Sequence, residues 1–488
     1  MYNRWQPECL RNSWLRTSPD EAPGVLPRSG PSAQGRNTTV CRIIFIFVAL
    51  AILAVSATSA LAATTIGSLT FSNNALLRPE GVSEPEIAIS SNGTMAIVGL
   101  QWLFINGFFG THLWTGPFGS TPTFQGLIDA GLQQPGKFVF GSEDTDVDLG
   151  STGTLHATTL LALVNAGFKT AQIGVSAVRC PNATTSFSGC STQIIDTAGA
   201  DRSWVTSDGS HVYISYHDSG NSTLVHVQRS DDDGLTWRRA GDPITGQGQV
   251  TGNATFNNDQ GPLKADLTNH FVYDIYAEGE AGIQKATSAT FNNIIVSRSA
   301  DMGKTWTPSL VYHAPLFTGL NNVFTSLAVD QANGKVYAVW SDAVNVFFSA
   351  SSDHGSTWSP AVIVNVAPAS IALFPWVAAY NGTVDVVYYG SSNGLSNNTP
   401  TAVWNVYLAL TTNDGGSFTQ SVVSKKSNHT GAICTGGVSC APGTRNLLDL
   451  FEVAVDPQNG KAAVIYTDDR LTTFMGAPLP QIVLAQQN

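Results

Sequence analysis

Short apolar runs recur along this chain in pairs, each pair broken by a polar turn centred on Gly or Asn. Glu86–Ile89 and Met95–Val98 flank Gly93, and a weaker pair flanks Gly153 between Val147 and Leu155. Trp204–Val205 and Val212–Tyr216 flank Gly209; Val272–Tyr276 follows a turn at Asn269. Leu327–Val329 and Val336–Trp340 flank Gly334, a sixth pair turns at Asn381-Gly382, and a seventh turns at Asn459-Gly460 before Ala463–Tyr466. Asn-Gly between apolar runs is a strong hairpin signal, because both residues tolerate the left-handed backbone of a tight turn. The turns are spaced by 60, 56, 60, 65, 48 and 78 residues. A period near 60 suits a four-stranded sheet with generous loops, so the pattern predicts an all-β repeat array of seven such sheets, six being the alternative. The last sheet lacks room for four strands, and Ile66–Ser72 is the candidate to supply its outer strand, closing the array and hiding a free edge.

A second motif runs in phase with the hairpins. Ser230–Trp237, Ser299–Trp306 and Ser351–Trp358 all fit S-x-D-x-G-x-T-W, and Thr412–Phe418 reads as a degraded copy one residue short. The carboxylates of Asp232, Asp301, Asp353 and Asp414 suit backbone N–H groups across a turn. Glycine supplies the positive φ, and Trp237, Trp306 and Trp358 offer a large apolar face to bury beneath it. These octapeptides resemble the Asp-boxes, or bacterial neuraminidase repeats, of the sialidase superfamily, and the resemblance spans roughly residues 66–488. It implies a β-propeller with the boxes at outer turns between the third and fourth strands of each blade, facing away from the ligand-binding end. The box aspartates are then structural and not catalytic. Seven blades depart from sialidases proper, which have six.

Charged residues make up 12% of the chain, low for a globular protein, and the formal charge is −11. Beyond residue 62 there are 18 Lys and Arg against 32 Asp and Glu, a net −14 with no basic cluster, which excludes nucleic acid as a partner. Residues 1–42 carry six Arg, Ile43–Val55 is apolar, and Ala60-Leu61-Ala62 follows. This order predicts an exported protein with a signal peptide cleaved near Ala62, leaving residues 63–488 as one domain. The alternative is an uncleaved anchor over residues 43–63, just long enough to cross a bilayer and the one route to membrane association. The long leader also fits a true start downstream of Met1. Cys9 and Cys41 lie in the leader; Cys180/Cys190 and Cys434/Cys440 read as disulfides of an oxidising compartment, since neither pair has zinc-ligand spacing.

The resemblance also implies what a sialidase-type site contains: three Arg gripping a carboxylate, a Tyr–Glu nucleophile pair and an Asp acid/base. The family's Arg-Ile-Pro signature is absent, with only Leu77-Arg78-Pro79 near it. Arg202, Arg445 and Arg470 (with Arg78) remain as candidates for the arginine cluster, and Tyr466 with Glu452 for the nucleophile pair. Tyr216, Tyr276, Trp340 and Tyr389 occupy the repeat position of Tyr466, so an architectural role stands beside the catalytic one. His217-Asp218 is a weaker acid/base pair. No metal set is selected by spacing, although Asp144, Asp146 and Asp148 with Gly150 resemble a calcium loop; Leu155 sits where an EF-hand has Glu. Asn92, Asn182, Asn221, Asn253, Asn381 and Asn428 are among the asparagines that head N-x-Ser/Thr sequons. Two functions fit: a glycan-directed hydrolase with its site at the central end of the propeller, or a non-catalytic propeller that binds carbohydrate or cell-surface proteins through its loops.

Overall fold

A computed structural model describes residues 60–488, apart from 105–108, 130–131, 133, 166, 168–170, 187–188, 198–200, 219–223, 246–257, 280–290, 316–317, 321–323 and 438–439. The leader, with Cys9 and Cys41, and the sequons at Asn221 and Asn253 lie outside the described residues.

The described elements are all strands, and they form seven sheets arranged as the blades of a β-propeller. Each blade is an antiparallel meander whose first strand is innermost. The inner strands are Val82–Ile89, Lys137–Leu149, Asp201–Asp208, Asn258–Asp266, Ser326–Val329, Ala372–Tyr380 and Glu452–Val455. Each neighbours the next around the ring, and the seventh neighbours the first. The apolar clusters lie between blades. One joins Tyr273 and Ile294 of blade four to Leu327 and Trp340 of blade five; another joins Ile87 and Trp114 of blade one to Ile465 and Leu484 of blade seven. Because both faces of a blade are covered, middle strands such as Val336–Ser341 are buried throughout. Outer strands such as Thr307–His313 keep exposed positions.

The N-terminal segment closes more than one blade. Ala60–Leu61 pairs in parallel with Val362–Ile363 of blade five, and Ala63–Ile66 pairs in parallel with Ser417–Gln420 of blade six. Phe71–Leu76 then pairs antiparallel with Ile482–Gln487 and completes blade seven. The closing strand therefore starts five residues later than the expected Ile66, because Ile66 is held by Gln420 of blade six.

Octapeptide turns join the third and fourth strands of blades three to six. In each complete copy the Ser hydroxyl accepts the Gly N–H, and the Asp carboxylate accepts the Thr backbone N–H and hydroxyl. The tryptophans are half-buried rather than fully covered, with Trp306 Nε1 donating to the carbonyls of Gly241 and Gly303. The fourth copy corrects the sequence reading. It is full length, Thr411–Phe418, and Asn413, not Asp414, takes the acceptor place, with Oδ1 2.9 Å from Ser417 N. Asp414 has a left-handed backbone and reaches Lys335 and Tyr337 of the preceding blade.

Both cysteine pairs are disulfide-bonded, Cys180–Cys190 and Cys434–Cys440. Asn428 is fully buried, with Nδ2 donating to the Thr467 carbonyl, so that sequon is not a glycosylation site in the folded chain. No helix among the described residues is long and apolar enough to cross a membrane.

Candidate active site at the centre of the ring

In a meander, first-to-second and third-to-fourth turns share one end of the sheet. The beginnings of the inner strands therefore lie at the end opposite the octapeptide turns. There the inner strands depart from regular pairing. Register shifts fall between Ser83 and Glu86, Glu143 and Thr145, Asp201 and Ser203, Gln260 and Leu263, and Leu373 and Trp376. Non-glycine residues with a left-handed backbone sit at or just before these starts in five blades: Glu84 (φ 46°), Arg202 (φ 54°), Phe324 (φ 55°), Phe374 (φ 57°) and Leu448 (φ 54°). Such conformations cost on the order of 1–3 kcal/mol each and cluster at functional sites, where a bulge re-aims a side chain.

The polar residues gathered at these bulges form one network. Asp449 is buried and receives both arginines: Arg445 Nε lies 3.2 Å from Oδ1, and Arg202 Nη2 lies 3.3 Å from Oδ2. The Asp449 backbone N–H donates to Glu84 Oε1 at 2.8 Å, and the Arg202 backbone N–H donates to Asp144 Oδ2 at 3.2 Å. The Arg202 guanidinium carbon stands 3.6 Å from the centroid of the Phe324 ring, a cation–π contact. Its Nη1 is buried with no acceptor among the described residues. Burial, reinforced by Asp449 and Asp144, pushes the Glu84 carboxyl up to about 8 against the pull of Arg445 and Arg202. Burial likewise raises Asp144 to about 6, with Arg202 opposing. Glu84 and Asp144 thus titrate apart, Glu84 the higher, the kind of pairing that acid/base catalysis uses.

A second layer lies further along the inner strands. Glu452 Oε1 accepts from Trp376 Nε1 at 2.9 Å, and its Oε2 accepts the Ile87 N–H at 2.7 Å. Lys264 Nζ is 3.6 Å from Oε1. Asp146 accepts the N–H groups of Val147 and Val205, each at 2.8 Å. Asp144, Asp146 and Asp148 thus occupy one face of a strand and tie the second blade to Arg202, Val205 and Ser207 of the third. The calcium-loop reading of this run does not hold in that form, because the run is extended strand and not a loop.

The residues expected from sequence separate into two groups. Arg202 and Arg445 meet at Asp449, and Glu452 lies in the layer beneath. Tyr466 does not join them: it is buried on a second strand, and its hydroxyl lies 2.9 Å from Asn73 Oδ1 of the closing strand. Arg470 is exposed and donates to Ser427. Arg78 Nε pairs with Glu80 at 2.9 Å and its guanidinium stacks on Phe124. Asp218 pairs with His226. Glu84 and Asp449 were not singled out from the sequence. The available signal was proline inside an inner run, as in Glu84-Pro85-Glu86, Gly261-Pro262 and Phe374-Pro375-Trp376, which marks a bulge.

No family model matches this chain, and no curated protein matches it. Among solved structures it is similar to a protein of unknown function from Dyadobacter fermentans, with 12% identity over 85% of this chain and 97% of that one and a TM-score of 0.47. It is similar to the α-L-arabinofuranosidase of Fusarium graminearum, with 15% identity over 66% and 92% of the two chains and a TM-score of 0.43. The sialidase of Trypanosoma rangeli matches at 13% identity over 87% of this chain and 59% of that one, with a TM-score of 0.44.

Proposed function

We propose that this chain is an exported, glycan-directed glycoside hydrolase whose catalytic centre is the bulge network of Glu84, Asp144, Asp449, Arg202 and Arg445. The observation that carries the reading is the Glu84–Asp144 pair: two carboxyls on adjacent inner strands, held by the backbone N–H groups of Asp449 and Arg202, with burial raising Glu84 further than Asp144. Glu84 Oε1 is occupied by the Asp449 N–H, so the acid proton belongs on Oε2. In this account that proton passes to the glycosidic oxygen as the bond breaks, and Asp144 either activates water or takes up the developing charge at the sugar carbon. Arg202 Nη1, a buried donor in want of an acceptor, holds a sugar hydroxyl.

The same electrostatics favour a neutral sugar over a sialoside. A substrate carboxylate needs guanidinium charge that is not already compensated, and both arginines are paired with Asp449. Asp144 adds further negative charge beside Arg202. The two disulfides support the exported part of the proposal, since they persist in oxidising compartments. A panel of aryl glycosides tests the substrate class. Turnover is expected on at least one neutral aryl furanoside or pyranoside and none on aryl sialosides. Preferred cleavage of the sialoside would refute the neutral-sugar reading. Absence of turnover throughout would return the molecule to a binding role through its loops.

A further inference from the structure

We propose that Glu86, Asp146 and Glu452 bind a calcium ion at the axis of the ring, beneath the bulge network. The three residues come from the inner strands of blades one, two and seven. One carboxylate oxygen from each lies within 4.8 Å of the other two, and all three side chains are buried. A Ca²⁺ ion with Ca–O distances of about 2.3–2.6 Å spans such a set, whereas the shorter bonds of Mg²⁺, about 2.0–2.1 Å, reach across less of it.

Independent of this clustering is the state of Glu86. It is 0% exposed, its carboxylate is aimed into the cluster, and among the described residues neither oxygen receives an N–H or O–H donor; the group it meets is the Glu452 carboxyl. An orphaned buried carboxylate is costly unless something positive or protic meets it. The positive group at hand is Lys264, but its Nζ lies against Glu452. Three carboxylates and one ammonium leave two negative charges, which one divalent cation neutralises. Asp146 and Glu452 are fixed by N–H donors on neighbouring strands, so two ligands are preorganised before the ion arrives.

Burial with the charges of Glu452 and Asp146 pushes Glu86 well above the carboxyl range, with Lys264 opposing. Burial with Glu452 takes Asp146 up to about 7, again against Lys264. This inference rests on the cluster alone and stands even if no glycoside is turned over.

Terbium is a direct probe, because the Trp376 indole touches Glu452 and can sensitise a bound lanthanide. The full chain, stripped with EDTA, is titrated with Tb³⁺ while tryptophan is excited. The expected result is saturable emission at one equivalent, reversed by Ca²⁺ at lower concentration than by Mg²⁺, and a Ca²⁺-dependent rise in melting temperature. Glu86→Gln, which keeps the shape and removes the charge, should abolish both. Trp376→Phe should dim the emission while the Ca²⁺-dependent melting shift remains, and this locates the ion even if Glu86→Gln folds poorly. Absence of saturable emission and of a calcium shift in the wild-type protein would show that Glu86 and Glu452 share a proton instead, and would overturn the proposal. Emission undiminished in both variants would do the same.

Discussion

Glu84 and Arg202 both carry left-handed backbones on otherwise extended strands, and both feed the same network at the ring's centre. At the rim the same backbone state serves stability. The fourth residue of every octapeptide, Asp233, Met302, His354 or Asp414, is left-handed and meets a cation of the preceding blade: Arg179, Arg229, Arg298 or Lys335. The serine–aspartate–threonine chemistry of these turns was legible from spacing, because it is local. The cross-blade partner was not, since it lies about 54–79 residues away and depends on the ring. The degree of tryptophan burial was also overread, as a half-buried indole has the same sequence signature as a buried one. Trp306→Ala should therefore cost about 2 kcal/mol, less than a full core truncation. Urea denaturation followed by far-UV circular dichroism measures it. A loss above about 4 kcal/mol would mean that the turn organises more of the blade than its contacts indicate.

At the scale of elements, the N-terminal segment laces the outer edges of three consecutive blades. Periodicity revealed that the last repeat was one strand short, since that is a count along the chain. It did not reveal the parallel pairings on blades five and six, because two- and four-residue strands carry too little pattern. Cleavage after Ala62 would forfeit the Ala60–Leu61 pairing and keep the other two. Removing residues through Ile66 uncovers the edges of blades five and six while leaving Phe71–Leu76 in blade seven. Open edges invite pairing with other chains. A chain that begins at Gly67 should melt several degrees lower than one that begins at Ala60 and should self-associate, as read by calorimetry and light scattering. An unchanged melting temperature with no self-association would show that the lacing is incidental.

At the scale of the whole molecule, buried carboxyls set the response to pH. Glu84 at about 8, Asp146 at about 7, Asp385 at about 7 and Asp144 at about 6 all lie above their unfolded values, with burial the leading cause in each. Between about pH 4 and 8 the folded chain binds more protons than the unfolded one, so stability falls as pH rises through that window. The turn aspartates act oppositely: Asp232 and Asp353 are held down near 2 by their threonine partners, and that contribution is lost only as pH falls below about 4. Melting temperature should peak in mildly acidic buffer and decline toward pH 9. A maximum at pH 8 or above, with metal absent, would contradict these assignments. The ring and its count of seven were readable from turn spacing, whereas the centre was not, because its members come from separate blades and meet only when the ring closes. Sequence position left Tyr466 between an architectural and a catalytic role; the second strand of blade seven buries it, with its hydroxyl against Asn73. One comparison decides whether chemistry belongs to the bulges or to the blade interiors. On the best aryl glycoside at neutral pH, kcat/KM of Glu84→Gln should fall by about 10²–10⁴-fold, the worth of a general acid, while Tyr466→Phe stays near wild type. A Glu84→Gln enzyme as active as wild type, or a Tyr466→Phe enzyme disabled while still folded, would contradict its assignment to the bulges.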